Sequence, residues 1–116
     1  MRQLARIVAE THGDIEVARI EGEVDTSNAD MLTNRLRGLL TNRSVALIVD
    51  LGPTTYLDSS GITLLFGLFE ELRRRQQDLH VVVPEGSPIG RVLSITGLDQ
   101  VVPVHPTLEI ALERAG

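Results

Sequence analysis

The sequence predicts an α/β domain: a mixed, mostly parallel sheet with an N-terminal antiparallel hairpin and about four helices. Three observations carry that expectation. Segments of strand character alternate with segments of helical period, in the order β-β-α-β-α-β-α-β-α. The stretch Val45-Ala46-Leu47-Ile48-Val49-Asp50-Leu51 is almost wholly apolar and rich in β-branched residues, as in a strand buried on both faces of a sheet. Near the N-terminus, the turn signal His12-Gly13-Asp14 separates two segments of extended character.

The first of these segments carries Leu4, Ile7 and Val8; the second, IEVARIEGEV, places Ile15, Val17 and Ile20 among polar residues. Together they read as a hairpin. Asp25-Thr26-Ser27-Asn28 is a cluster of helix-capping residues, with Ser27 and Asp30 spaced as a capping box. Ala29, Leu32, Leu36, Leu39 and Leu40 then mark one face of an amphipathic helix that ends near Thr41-Asn42. After the buried strand, Gly52-Pro53 and a short loop lead to Asp58-Ser59-Ser60-Gly61, which opens a helix carrying Ile62, Leu65, Phe66, Phe69 and Leu72. Arg73, Arg74 and Arg75 complement its C-terminal dipole. His80-Val81-Val82-Val83-Pro84 reads as another buried strand. Ser87-Pro88 starts a third helix with Ile89, Val92 and Leu93, closed at Gly97. Val101, Val102 and Val104 form a last strand, which Pro103 confines to an edge. Thr107 caps a final helix faced by Leu108, Ala111, Leu112 and Ala115.

Composition narrows the chemistry. The 116 residues suit one compact domain, expected to run over 1–116. Eleven basic against sixteen acidic side chains give a net charge of −5, which argues against direct nucleic-acid binding. There is no Cys, so disulfides and thiolate chemistry are excluded. All eleven basic residues are Arg, which removes Schiff-base chemistry and the lysine of nucleotide-hydrolysing loops. No run approaches the roughly 18 apolar residues of a membrane span, and MRQLARIVAETHGD lacks signal-peptide character. A cytoplasmic protein without a membrane association is expected.

The sharpest local feature is Tyr56-Leu57-Asp58-Ser59-Ser60-Gly61 ahead of an apolar helix. A hydroxyl there faces unpaired N–H groups and the positive end of the helix dipole, a setting that tolerates phosphate. On spacing alone the simpler reading prevails: Asp58, Ser59 or Ser60 caps a helix and Gly61 relieves crowding. Asp25 likewise reads first as a cap of the first helix.

Val49-Asp50-Leu51, the loop and Leu57-Asp58-Ser59-Ser60-Gly61-Ile62 resemble the signature of the STAS family, which includes anti-sigma-factor antagonists and sulfate-transporter tails. Gly22-Glu23-Val24-Asp25 and Ser94-Ile95-Thr96-Gly97-Leu98 resemble two further landmarks of that family. The resemblance implies a free-standing antagonist that is not an enzyme. Its phosphoacceptor is Ser59, with Ser60 a weaker alternative, and its partner-facing residues are Asp25, Asp58, Ser60 and Gly61. It implies two partners: an anti-sigma factor that is also a serine kinase, and a serine phosphatase. The unphosphorylated form binds the kinase, and phosphorylation releases it. No cofactor or metal is expected. The chain departs from the family pattern after Gly61, where Ile62-Thr63-Leu64 stands in place of a frequent Leu-Gly, altering the helix face a partner approaches.

Three rival readings are distinguishable. A serine hydrolase needs a histidine near Ser59, yet His12, His80 and His105 carry no motif and no Gly-x-Ser-x-Gly elbow exists. A receiver domain would use Asp50 at a strand end, but its late lysine is missing. The third is a STAS protein-binding module of a transport- or lipid-related complex that uses no phosphate.

Overall fold

The computed structural model describes residues 4–116. Two antiparallel strands, β1 (Ala5–His12) and β2 (Ile15–Val24), pair along the whole of β1, from Ala5↔Gly22 to His12↔Ile15. The chain continues through α1 (Ala29–Leu39), β3 (Ala46–Asp50), β4 (Thr54–Leu57), α2 (Ser59–Arg74), β5 (Asp78–Val82), α3 (Pro88–Thr96), a 3-10 turn at Leu98–Gln100, β6 (Val104–His105) and α4 (Leu108–Ala115). The sheet order is β1-β2-β3-β5-β6, with every contact after the first hairpin parallel. This is the mixed sheet the alternation of elements predicts.

Strand β3 lies at the centre and is buried along all five residues. Its odd-numbered side chains, Leu47 and Val49, join Leu79 and Val81 of β5 in the larger core under α1, α2 and α3. Its even-numbered ones, Ala46 and Ile48, meet Ile15, Val17 and Val82 under α4, where Ala111 is buried. A strand covered on both faces has no wet side to alternate with, which is why its sequence is a run.

The strand β4 is a correction: residues 54–57 were expected as loop. Strand β2 is flanked by β3 over Ile15–Arg19 and by β4 over Gly22–Val24, with a register shift between Gly22 and Glu23. Gly22 makes the changeover possible. Its φ of +105° is a left-handed conformation, and a Cβ there would collide with the Leu4 carbonyl oxygen. That oxygen accepts from the Glu23 N–H at 3.0 Å. Four residues after a Gly-Pro stop carry too short a pattern to announce a strand.

Other boundaries moved for comparable reasons. Val101 and Val102 precede the last strand: Val102 is buried as the 3-10 turn closes, and only Val104 and His105 belong to β6, at the sheet edge as Pro103 requires. On α2, Phe66 and Phe69 sit at the margin, whereas Leu64 and Leu68 are buried with Ile62, Leu65 and Leu72. Ser87, Thr107 and Gly97 end their helices as expected. The Ser87 and Thr107 hydroxyls accept from the N–H groups of Ile89 and Ile110, and Gly97 is left-handed. Among the described residues, no helix is long and apolar enough to cross a membrane.

Candidate functional site

The register of β4 on β2 sets Val24 opposite Leu57, the last residues of two neighbouring parallel strands. The next residues along each chain, Asp25 and Asp58, therefore emerge together at the same edge of the sheet. The Asp58 N–H also donates to the Val24 carbonyl at 3.3 Å. One strand end leads into α1 and the other into α2, so the β2–α1 loop and the start of α2 form a common mouth.

Asp58 is the N-cap of α2. Its Oδ1 accepts from the N–H groups of Ser60 at 2.8 Å and Gly61 at 3.4 Å. Ser59, the first residue of the helix, is exposed, and among the described residues its hydroxyl has no hydrogen-bond partner. The Ser60 hydroxyl, half-buried, meets Thr26 Oγ1 at 2.9 Å across the mouth. Gly61 is buried directly beneath. A Cβ on it would lie 2.8 Å from Leu57 Cγ and 3.2 Å from Val24 Cγ1, so glycine lets α2 descend onto the paired strand ends.

Asp25 does not cap α1, and the Ser27–Asp30 box does not form. Asn28 is the residue flanking the helix, and its side chain makes no capping bond. The polar side chains stitch the loop to itself instead. Asp25 Oδ1 accepts from the Ser27 N–H at 2.9 Å and the Ser27 hydroxyl at 2.5 Å. Asn28 Oδ1 accepts from the Asp25 N–H at 3.0 Å, and Asn28 Nδ2 donates to the Glu23 carbonyl at 2.8 Å. With its backbone this short of regular partners, a loop spends its Asx side chains on turns rather than caps.

Behind the mouth a groove of about 390 Å³ runs between α1 and α2. Thr26, Asp30 and Thr33 line it from one side, and Ser59, Thr63 and Gly67 from the other. Its far end carries Arg37, whose guanidinium Nε bonds both Glu71 carboxylate oxygens at 2.9 Å. Thr63, which departs from the family pattern, is exposed on this wall. Sequence reasoning missed Thr26, Thr33 and Gly67. Their signal was faint: small or hydroxyl residues on a loop and on the outer sides of two helices not known to be neighbours.

The rival chemistries find no support in the geometry. His12 lies 3.4 Å from Glu10 on the hairpin. His80 Nδ1 and His105 Nε2 are 2.9 Å apart, and His80 lines a cavity that is also bounded by Arg73, in the last turn of α2, and Gln76, just beyond it. That helix of 16 residues is about 24 Å long and has Ser59 at its opposite end. Both imidazoles have pKa values below the usual histidine value. For His80 the cause is burial, then the neighbouring His105, opposed by Asp78; for His105 it is burial and then Arg114. Asp50 is largely buried and already engaged, its Oδ1 by the Gly52 N–H at 2.8 Å and its Oδ2 by Arg19 Nε at 3.4 Å. A receiver's acceptor carboxylate would need to be open. Among the described residues, no group of three or more His, Cys, Asp or Glu side chains is arranged to hold a metal ion.

A mixed six-stranded sheet, helices on both faces and an exposed serine over a capping aspartate at the junction of two strand ends define a small α/β domain of the STAS class. The chain belongs to the STAS domain family, whose profile matches residues 6–111. It is 32% identical over 93 residues to the anti-sigma-B factor antagonist of Listeria monocytogenes, covering 80% of this chain and 78% of that one. It is 30% identical over 101 residues to the anti-sigma-F factor antagonist RsfB of Mycobacterium tuberculosis, covering 87% and 81%. The crystal structure of an anti-sigma factor antagonist from Mycobacterium paratuberculosis matches with a TM-score of 0.85 at 28% identity, covering 96% of this chain and 93% of that one.

Proposed function

We propose that this chain is a cytoplasmic anti-sigma factor antagonist switched by phosphorylation of Ser59. In its free form it binds an anti-sigma factor that is also a serine kinase, and so liberates a sigma factor for transcription. Ser59 Oγ then attacks the γ-phosphorus of ATP held with Mg²⁺ by the kinase. The Oγ–P bond forms, the bond to ADP breaks, and the hydroxyl proton passes to a base of the kinase. A serine phosphatase returns the hydroxyl by hydrolysis. Asp25, Asp58 and Ser60 contribute the surface around the acceptor, and Gly61 sets its height over the sheet.

The single observation that carries this reading is the Ser59 hydroxyl itself: exposed, unbonded among the described residues, and first in a helix whose neighbouring N–H groups Asp58 already satisfies. A phosphate there adds about −1.5 to −2 charges. The helix dipole accommodates them. A partner packed closely over the neutral hydroxyl does not, because it must strip their water and leave them unpaired. An unpaired charge in an interface costs about 2–5 kcal/mol, roughly 30- to 5,000-fold in affinity, with no refolding of the domain.

The test is capture of partners from source cells by wild-type protein and by Ser59→Glu, read by mass spectrometry. A kinase-like anti-sigma factor retained by the wild type alone is the expected result. Equal retention by both proteins overturns the switch and favours a constitutive binding module. A phosphate on this chain that is acid-stable places it on serine, whereas hydroxylamine sensitivity places it on an aspartate.

A further inference from the structure

Both Ser59 and Ser60 line the groove at the mouth of α2, so position alone does not decide which of two adjacent hydroxyls takes the phosphate. Their hydrogen bonding differs. Ser59 Oγ is free among the described residues, while Ser60 Oγ is held at 2.9 Å by Thr26 Oγ1, a residue 34 positions away on the β2–α1 loop. If Ser60 donates, the bond holds the proton that Ser60 must release; if Thr26 donates, it occupies one of the two Ser60 lone pairs, and in either case it fixes the Ser60 hydroxyl toward the loop. The loop is itself fixed by the bonds among Asp25, Ser27, Asn28 and Glu23, so Thr26 is not free to follow a moving Ser60.

We infer that Thr26 is a positioning residue that favours Ser59 as the acceptor, by holding Ser60 back from phosphoryl transfer. The inference rests on the phosphoswitch proposed above. It adds a residue outside the Asp-Ser-Ser-Gly stretch that sets the specificity of the site. The chemistry is unchanged: the γ-phosphoryl group of ATP passes to a serine oxygen, ADP leaves, and the displaced proton goes to the kinase. Thr26 selects only which oxygen attacks. A net hydrogen bond between neutral groups biases an equilibrium by about 2- to 12-fold, and that is the selectivity assigned to it. Thr26 is exposed and valine has nearly its shape, so its removal leaves the fold intact.

The experiment is phosphosite mapping of the full chain, incubated with Mg²⁺, ATP and the kinase recovered in the capture described above. In wild type the phosphate is mainly on Ser59. In Ser59→Ala, labelling of Ser60 is slow, and in Thr26→Val/Ser59→Ala it rises by about 2- to 12-fold. Thr26→Ser/Ser59→Ala, which keeps the hydroxyl, stays as slow as Ser59→Ala. A structural role of Thr26 would not produce that rescue. Equal Ser60 labelling with and without the Thr26 hydroxyl, in chains whose Ser59 is labelled when present, overturns the role of Thr26 and leaves the phosphoswitch standing. No phosphate on the wild-type chain overturns the phosphoswitch, and the selectivity with it.

Discussion

A Cβ placed on Gly61 would stand 2.8 Å from Leu57 Cγ, closer than two carbon atoms approach. Glycine at the third position of α2 is thus a contact requirement between the helix and the last residue of β4. We expect Gly61→Ala to destabilise the chain by about 1–3 kcal/mol through overpacking, despite alanine's better helix propensity. Urea unfolding measures it. A double-mutant cycle with Leu57→Ala should show coupling, the Gly61→Ala penalty shrinking once the leucine is gone.

Gly67 gives the opposite expectation. It lies within α2, is exposed, and a Cβ there meets nothing within 4 Å. Gly67→Ala should stabilise by about 0.5–1 kcal/mol, since only the helix's own backbone entropy is at stake. Gly22→Ala should cost more than Gly67→Ala gains, because positive φ and the collision with the Leu4 carbonyl act together. Thermal midpoints should fall in the order Gly67→Ala, wild type, Gly22→Ala.

The Asp58 cap offers a third check. One carboxylate oxygen serves two N–H groups of α2, and α2 supplies five buried side chains besides Gly61. Asp58→Ala should cost about 0.5–2 kcal/mol and Asp58→Asn distinctly less, since the amide oxygen still accepts. A penalty as large for Asn as for Ala would mean that charge, not the hydrogen bond, does the capping. Denaturant midpoints separate the two.

These residues also show how much of the site was legible in the chain. Asp58 and Ser59 were, because a cap and a helix start are local events written in adjacent residues. The central strand was legible for a similar reason: burial on both faces leaves an apolar run at 46–49. Asp25 was misread as a cap because its carboxylate is taken by Ser27 in a turn, a competition between two local bonds that composition does not rank. Thr26 was silent, since its partner Ser60 lies across a register fixed only when β4 forms beside β2. Gln77 was silent too. It is buried, and its amide nitrogen donates to the carbonyls of Thr41 and Ser44, holding the turn before β3 from 36 and 33 residues away.

The pairing of His80 with His105 gives the domain a pH dependence whose sign can be worked out. The rings lie 2.9 Å apart between Nδ1 and Nε2, with centroids at 5.1 Å, so one nitrogen donates and the other accepts only while a proton is missing. Burial lowers both pKa values; the His105 neighbour lowers that of His80 further, Asp78 opposes it, and Arg114 lowers that of His105. The unfolded chain, with histidines near about 6.5, therefore binds more protons than the folded one as the pH falls. The stability supplied by the neutral pair is complete above about pH 6.5 and is lost as the pH drops through the lowered folded values. Urea midpoints at pH 7.5, 6.5 and 5.5 should decline in wild type. They should decline less in His105→Gln, which removes one titrating ring and the like-charge conflict while its side-chain amide can still bond His80. An identical decline in both proteins would place the pH sensitivity elsewhere in the molecule.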